Sequence, residues 1–407
     1  MSAGFAAAEV AVSGSGKMGV VSAYNKTTAK NEATFSNTVV FSFKGSGTTD
    51  GGLSFGGKVD ADDSIAANST GTEGSVFISG AFGKITMGSV DSGDAASVGQ
   101  LAAVGYTSLS SGNSISYSAD GGNLGGLPGT EDATGARVLY TYSAGALTLN
   151  ASSAQLTANG ATSYGIGGSY AAGALTVGLG YGIVDGASVT GLRAWDTTAT
   201  AAVPASSTTA GAAIINEGYY ETKALDASVT DVSLSAAYVM DNTTIKAIYQ
   251  QKTVEAATTL RATAAFVPAS TSLTTGAVTA ATGAHSHAAI DLKSTATSMG
   301  LSVSQKMDAL TLTAYGINTT IDADVDLSAD NPTVSRYGIG FGYDLGGGAT
   351  IKGGYAAVDA MTPVGVAGVA STVTTSGATL TGDGTLEKYT LKSVTRNTFD
   401  LGINFSF

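Results

Sequence analysis

Strict alternation of apolar and polar residues, plainest between Asn397 and Phe407, limits what this chain can fold into. Phe399, Leu401, Ile403, Phe405 and Phe407 alternate with Asp400, Gly402, Asn404 and Ser406. A period of two is a strand with one apolar face. Such a strand carries a row of unpaired N–H and C=O groups unless another strand takes them up. The first strand of the chain is the natural partner. A sheet closed first-to-last has no edge, and among sheets only a closed one satisfies its whole backbone in lipid.

The same alternation recurs along the chain. No run of 18 apolar residues occurs, which excludes a membrane helix although the mean hydropathy is positive. The 407 residues would suggest two or three soluble domains, yet no linker-like shift in composition separates self-contained halves. Absence of Cys removes disulfide frameworks and thiol catalysis. A formal net charge of −12 argues against nucleic acid as a partner. Residues 1–8, ending Ala6-Ala7-Ala8, resemble the end of a secretory signal or an added start, and the fold is taken to begin at Glu9, with residues 9–407 as one barrel.

In chain order, Val10, Val12, Met18 and Val20 form the outer face of the first strand, with Ser13, Ser15 and Lys17 opposite. Val39, Phe41 and Phe43 face outward on the second, with Ser42 and Lys44 inward; Leu53, Phe55 and Val59 alternate with Ser54, Lys58 and Asp60 on the third. Strands follow at Gly74–Gly80 and Lys84–Gly88. The pattern then stops from Ser89 to Gly135, long for a connection in a compact fold and therefore a functional candidate. Two similar hairpins turn at Ala144-Gly145 and Ala172-Gly173. After the loops Asp185–Ala227, Thr253–Thr295, Thr319–Val334 and Val358–Arg396 come further strands, the last ending the chain. The count is sixteen, joined by seven short turns and eight longer loops in alternation. That predicts a 16-stranded antiparallel transmembrane β-barrel with short turns on the periplasmic side and long extracellular loops. Opposite the apolar positions stand Gly165, Gly167, Gly178, Gly180, Gly182, Gly338, Gly340 and Gly342, with Ser and Thr elsewhere, an inner face expected to leave a wide polar lumen.

Several blocks resemble the trimeric general-diffusion porins of Gram-negative bacteria, most closely those of Rhodobacter-type alphaproteobacteria. They are Gly47-Thr48-Thr49-Asp50 with Gly52 to Gly56, Val76 to Lys84, Leu139 to Ala146, Tyr343 to Ala349 and the terminal Phe407. The resemblance implies a homotrimer in outer-membrane lipid and lipopolysaccharide that passes small hydrophilic solutes. It also implies a third loop, here 89–135, folded inward as a constriction, and a C-terminal aromatic, Phe407, read as an assembly signal. Carboxylates on that loop, here Asp91, Asp94, Asp120, Glu131 and Asp132, would face basic residues on the wall. Lys17 matches the family's basic position on the first strand, and Lys44, Lys58, Lys84 and Arg137 fall on the inward phase of theirs. Where the family has neighbouring arginines on the second strand this chain has Asn37, Thr38 and Val40, so an acid-dominated opening with weak cation preference is expected. Some family members hold Ca2+ among such carboxylates, which suit it as hard oxygen ligands; no ligand set is specified here.

His285 and His287 lack a third metal ligand, Trp195 reads as a residue packed within its own loop, and no nucleophile has a base beside it. The sequence therefore reads as a passive, non-enzymatic channel. A substrate-selective channel in the same barrel would show an aromatic track or a dense arginine ladder. A secreted β-rich adhesin or surface-layer protein would share the composition without needing the alternating turns and loops.

Overall fold

The computed structural model describes residues 9–25, 28, 30–62, 73–120, 137–155, 162–189, 193–196, 219–222, 225–261, 270–271, 278–279, 287–323, 333–365, 372–375, 378–381 and 389–407. Sixteen strands form one closed antiparallel barrel in which each pairs with its sequence neighbours. They are β1 (Glu9–Asn25), β2 (Lys30–Thr48), β3 (Ser54–Asp62), β4 (Glu73–Gly80), β5 (Gly83–Gly88), β6 (Arg137–Ala144), β7 (Leu147–Gln155) and β8 (Thr162–Ala172). Then come β9 (Leu175–Val189), β10 (Leu225–Met240), β11 (Thr243–Arg261), β12 (His287–Met307), β13 (Leu310–Ala323), β14 (Thr333–Gly346), β15 (Ala349–Gly365) and β16 (Tyr389–Ser406). Short two-stranded ribbons at 193–196 with 219–222, 270–271 with 278–279 and 372–375 with 378–381 decorate the loop end.

Closure is made by the two ends of the chain. β1 pairs with β16 from Ser15 opposite Ser406 to Ser22 opposite Phe399. Beyond the ladder the Gly14 N–H donates to the Phe407 carbonyl at 2.6 Å and the Phe407 N–H to the Gly14 carbonyl at 2.9 Å. The Phe407 ring meets Phe41 edge-on with centroids 5.8 Å apart. No strand of the barrel is left with an open edge, as a sheet in hydrocarbon requires.

The outer face carries the alternating apolar residues. Val12, Phe43, Ile166, Leu179, Leu234, Leu301, Ile339 and Phe399 all stand exposed on it. In water such a surface would be an aggregation hazard; around a barrel it is the lipid-facing band. At the turn end, strands reverse in two residues at 241–242 and 308–309, where Asp241 (φ 49) and Asp308 (φ 53) sit in the left-handed region that tight hairpins demand.

The loop boundaries differ from those read in the sequence. β9 continues to Val189 and β10 starts at Leu225; β11 reaches Arg261, β12 begins at His287, β15 runs to Gly365 and β16 starts at Tyr389. The first connection shrinks to residues 26–29, because β1 and β2 stay paired as far as Asn25 opposite Lys30. The cause is physical: beyond the hydrocarbon a strand needs no apolar face, so the alternation fades while the hydrogen-bond ladder goes on.

Candidate functional site

After β5, residues 89–120 fold into the barrel and lie against its inner wall. This segment opens with a short helix, α1 (Gly93–Val98), whose Gly93, Asp94, Ala95, Ser97 and Val98 are buried. Val98, Leu101, Val104, Leu109, Ile115 and Tyr117 form one apolar cluster with the inward wall residues Ile248, Tyr315, Ile317 and Ala356. The outgoing limb passes β11 and β12, where Lys246 Nζ donates to the Val98 carbonyl at 2.7 Å and the Ala102 N–H to Ser302 Oγ at 3.2 Å. It reaches β16 at Asp400, whose Oδ2 accepts from the Thr107 N–H at 2.8 Å and Thr107 Oγ1 at 2.7 Å. The returning limb is tied to the outgoing one. Gln100 exchanges both hydrogen bonds with the Ile115 backbone (2.6 and 2.7 Å), Asn113 Nδ2 donates to the Leu101 carbonyl at 2.6 Å, and Tyr117 OH donates to the Gly99 carbonyl at 2.5 Å. It returns to β10 at Asp231, whose Oδ1 accepts the Ser118 N–H at 2.7 Å.

The inward glycines belong to this docking. A Cβ on Gly180 would stand 2.9 Å from Asp94 Cα, one on Gly182 2.7 Å from an Asp94 oxygen, and one on Gly340 2.9 Å from Val104 Cβ. Gly165, Gly167 and Gly178 likewise lie under Asp94 and Ser97, Gly338 under Tyr315 and Val104, and Gly402 under the Tyr106 ring. Of the eight glycines expected to line open space, only Gly342 meets nothing closer than 3.8 Å. The others form a floor with no side chains, which lets the loop backbone approach the sheet closely.

Two of the predicted site residues are corrected by this geometry. Asp94 is fully buried against the glycine floor, so it does not line the opening. Arg137 is inward but buried; Nη1 donates to the Val90 carbonyl and Nη2 to the Ala119 carbonyl at 2.5 and 2.8 Å. It clamps the two ends of the described loop, 89–120, and offers no free charge on the wall. Asp91 is exposed. The Asp120 backbone ends a short 3-10 turn, and Glu131 and Asp132 lie outside the described residues, as does His285.

The wall that residues 89–120 leave mostly uncovered, β1 to β5, carries Lys17, Lys44, Lys58 and Lys84 on its inward phase, opposite to the exposed Met18, Phe43, Val59 and Ile85. Lys44 and Lys58 are direct cross-strand partners, a repulsive pair relieved by Asp60. Asp60 holds Lys58 Nζ at 2.5 Å and accepts a short hydrogen bond from Ser42. Lys84 Nζ sits 4.5 Å above the Phe77 ring, which packs over Gly56 on the same inner face. Sequence reasoning missed Phe77, Asp231 and Asp400. The phase of Val76 and Ile78 placed Phe77 inward, and Asp231 sat between the outward Thr230 and Val232.

A closed barrel with an apolar outer band, a polar inner wall and a loop docked inside it defines a passive outer-membrane channel. The Gram-negative porin family profile matches residues 1–266. A curated porin of Rhodobacter capsulatus is 34% identical over 358 residues, 86% of this chain and 94% of its own. This chain therefore belongs to the Gram-negative porin family: it is an outer-membrane general porin. Among solved structures, a porin refined at 1.8 Å is similar over 98% of this chain and 100% of its own, at 28% identity and a TM-score of 0.57. The trimer form of OmpT, an outer-membrane protein of Vibrio cholerae, shares the fold at 14% identity, 98% and 100% coverage and a TM-score of 0.63.

Proposed function

We propose that this porin works as a homotrimer of independent water-filled channels, each narrowed between the docked loop and the lysine-bearing wall of β1 to β5. The trimer reading is supported by the OmpT trimer form that shares its fold. Sorting at the narrow point is electrostatic: fixed charges on the lining raise the local concentration of ions of opposite sign. The observation that carries the reading is the asymmetry of the inner face, one side covered by a buried loop and the other displaying Lys17, Lys44, Lys58 and Lys84.

For the sign of selectivity we propose the opposite of the cation preference expected from the sequence. The cation preference rested on loop carboxylates, and Asp94 is buried against the floor, leaving Asp91 exposed on the described part of the loop. The described lining favours anions. Calcium takes six to eight oxygen ligands. Among the described residues no group of three or more histidines, aspartates or glutamates stands together.

Single-channel recording in planar bilayers under a salt gradient tests the proposal. Stable steps that close in thirds with an anion-signed reversal potential are expected. A cation-signed reversal would show that acids at Asp120 and beyond outweigh the lysines. Absence of steps from folded, detergent-extracted protein would overturn the open-channel reading.

A further inference from the structure

We infer that the turn end of the lumen holds a binding subsite for small organic phosphates, centred on Lys306, Lys352 and Lys17. The inference rests on the open-channel reading and adds a place where an anionic solute pauses. A cavity of about 420 Å³ lies there, between the bend of the docked loop and the inner wall. That volume falls in the range of small-molecule sites.

The ladder registers bring the wall of this cavity together across six strands. Lys306 on β12 pairs with Thr311 on β13, Thr311 with Gly342 on β14, and Gly342 with Lys352 on β15. Thr350, beside Lys352, pairs with Asn404 on β16, and Asn404 with Lys17 on β1. At roughly 4.8 Å between strands and 3.3 Å per residue, Lys17 and Lys352 stand about 12 Å apart, Lys306 about 14 Å from Lys352, and Lys17 about 25 Å round the wall from Lys306. Each ammonium has a four-carbon arm, so Lys352 and Lys306 can reach one ligand above Gly342, where the floor is open, while Lys17 adds its charge at the far side of the same cavity.

The donors suit phosphate. Among the described residues none of the three ammonium groups has an ion-pair or hydrogen-bond partner, unlike Lys58 with Asp60, Lys246 with Val98 and Lys252 with Ser116. Thr311, Thr313 and Thr350 add hydroxyls and Asn404 an amide to the lining. The carboxylates at the cavity are Asp308 and Asp344, both on turn-end positions; Asp344 already accepts from the Gly346 N–H at 2.8 Å. Val104 and Tyr106 of the loop supply the apolar side of the cavity. A ligand with an anionic head and a small organic body fits this division, the head on the lysine wall and the body against the loop.

The test is block of single-channel KCl current by glycerol 3-phosphate and by inorganic phosphate, each current normalised to the same variant's own KCl step. Millimolar glycerol 3-phosphate should reduce the wild-type current, and inorganic phosphate should do so less strongly. The double variant K306Q/K352Q should raise the half-blocking concentration at least tenfold. K293Q, which alters an exposed pair with Glu255 on the outer extensions of β11 and β12, should keep wild-type block. Normal KCl steps without phosphate block, or equal block in wild type and K306Q/K352Q, would overturn the subsite while leaving the channel intact. Absence of KCl steps would overturn the channel reading itself. Block by inorganic phosphate as strong as by the organic ester would reduce the site to a phosphate-oxyanion site with no place for the body, and would overturn the organic part of the proposal.

Discussion

Replacing Gly180 by alanine should loosen the constriction loop without unfolding the barrel. The new Cβ would stand 2.9 Å from Asp94 Cα and Cβ and 3.0 Å from the Asp94 carbonyl oxygen, where carbon neighbours settle at about 3.5–4.0 Å. Backbone cannot rotate away as a flexible side chain can, so α1 must lift by several tenths of an ångström or the strand must bend. Overpacking of this kind costs about 1–3 kcal/mol. β9 is paired on both sides, whereas α1 is held by packing and a few hydrogen bonds. The loop should therefore give first. A penalty of about 2 kcal/mol shifts the ratio of docked to lifted loop about thirtyfold. Open-channel current noise should rise and the mean step should change, while the temperature at which the barrel loses its heat-resistant mobility on a denaturing gel stays within a few degrees. G316A is the control, since a Cβ there meets nothing within 4 Å. A quiet G180A channel with a barrel melting far lower would refute the reasoning, because it would show the wall yielding to the loop.

Two further outcomes follow from the contacts. R137Q should free both ends of the described loop: one shorter amide cannot serve the Val90 and Ala119 carbonyls together, and loss of charge-assisted hydrogen bonds costs about 1.5–3 kcal/mol each; limited proteolysis in detergent should cut within 89–120 in the variant and not in wild type. At the loop end of β2, hydrogen bonds from Thr28 Oγ1 (2.6 Å) and Asn25 Nδ2 (2.8 Å) hold the exposed Glu32 carboxyl below the usual glutamate range. The tie this gives between Asn25, Thr28 and Glu32 is present above the unfolded value of about 4.3 and lost as pH falls through the lowered folded value, so proteolytic nicking at Thr28 should rise only in acid.

The barrel was legible because lipid imposes a rule on every spanning strand. Ile339 and Phe341 must face outward, so their neighbours must face in, and register follows. The outer halves of β9 to β12 were not legible, since polar ribbons in water obey no such rule. The glycines misled for a related reason. A residue without a side chain reads the same whether it fronts water or another backbone, and the partner here lies far away in the chain. A usable signal did exist: Ala95, Val98, Leu101 and Val104 recur every third residue, then Leu109, Ile115 and Tyr117 follow, far more apolar matter than a solvated loop carries. Paired with small residues on β8, β9 and β14, that pattern predicts docking. Asp94 was misplaced because its charge was read without its neighbours.

The electrostatics of the opening come from what docking takes away. The chain has 31 acidic against 19 basic side chains, yet two acids of the described inner wall are taken up by the docked loop. Asp231 is taken up by the Ser118 N–H, Ser233 and Gln250, and Asp400 by Thr107. A loop whose backbone N–H groups are buried inside a barrel needs acceptors on the wall, and carboxylates supply strong ones. Once they do so, their charge sits beneath the loop, screened from the solute path by packed residues. The lysines of β1 to β5 have no such duty, because residues 89–120 leave most of that wall uncovered. An acidic protein can in this way present a basic lining, and the sign of its selectivity follows from which charges the fold uses internally and not from the total.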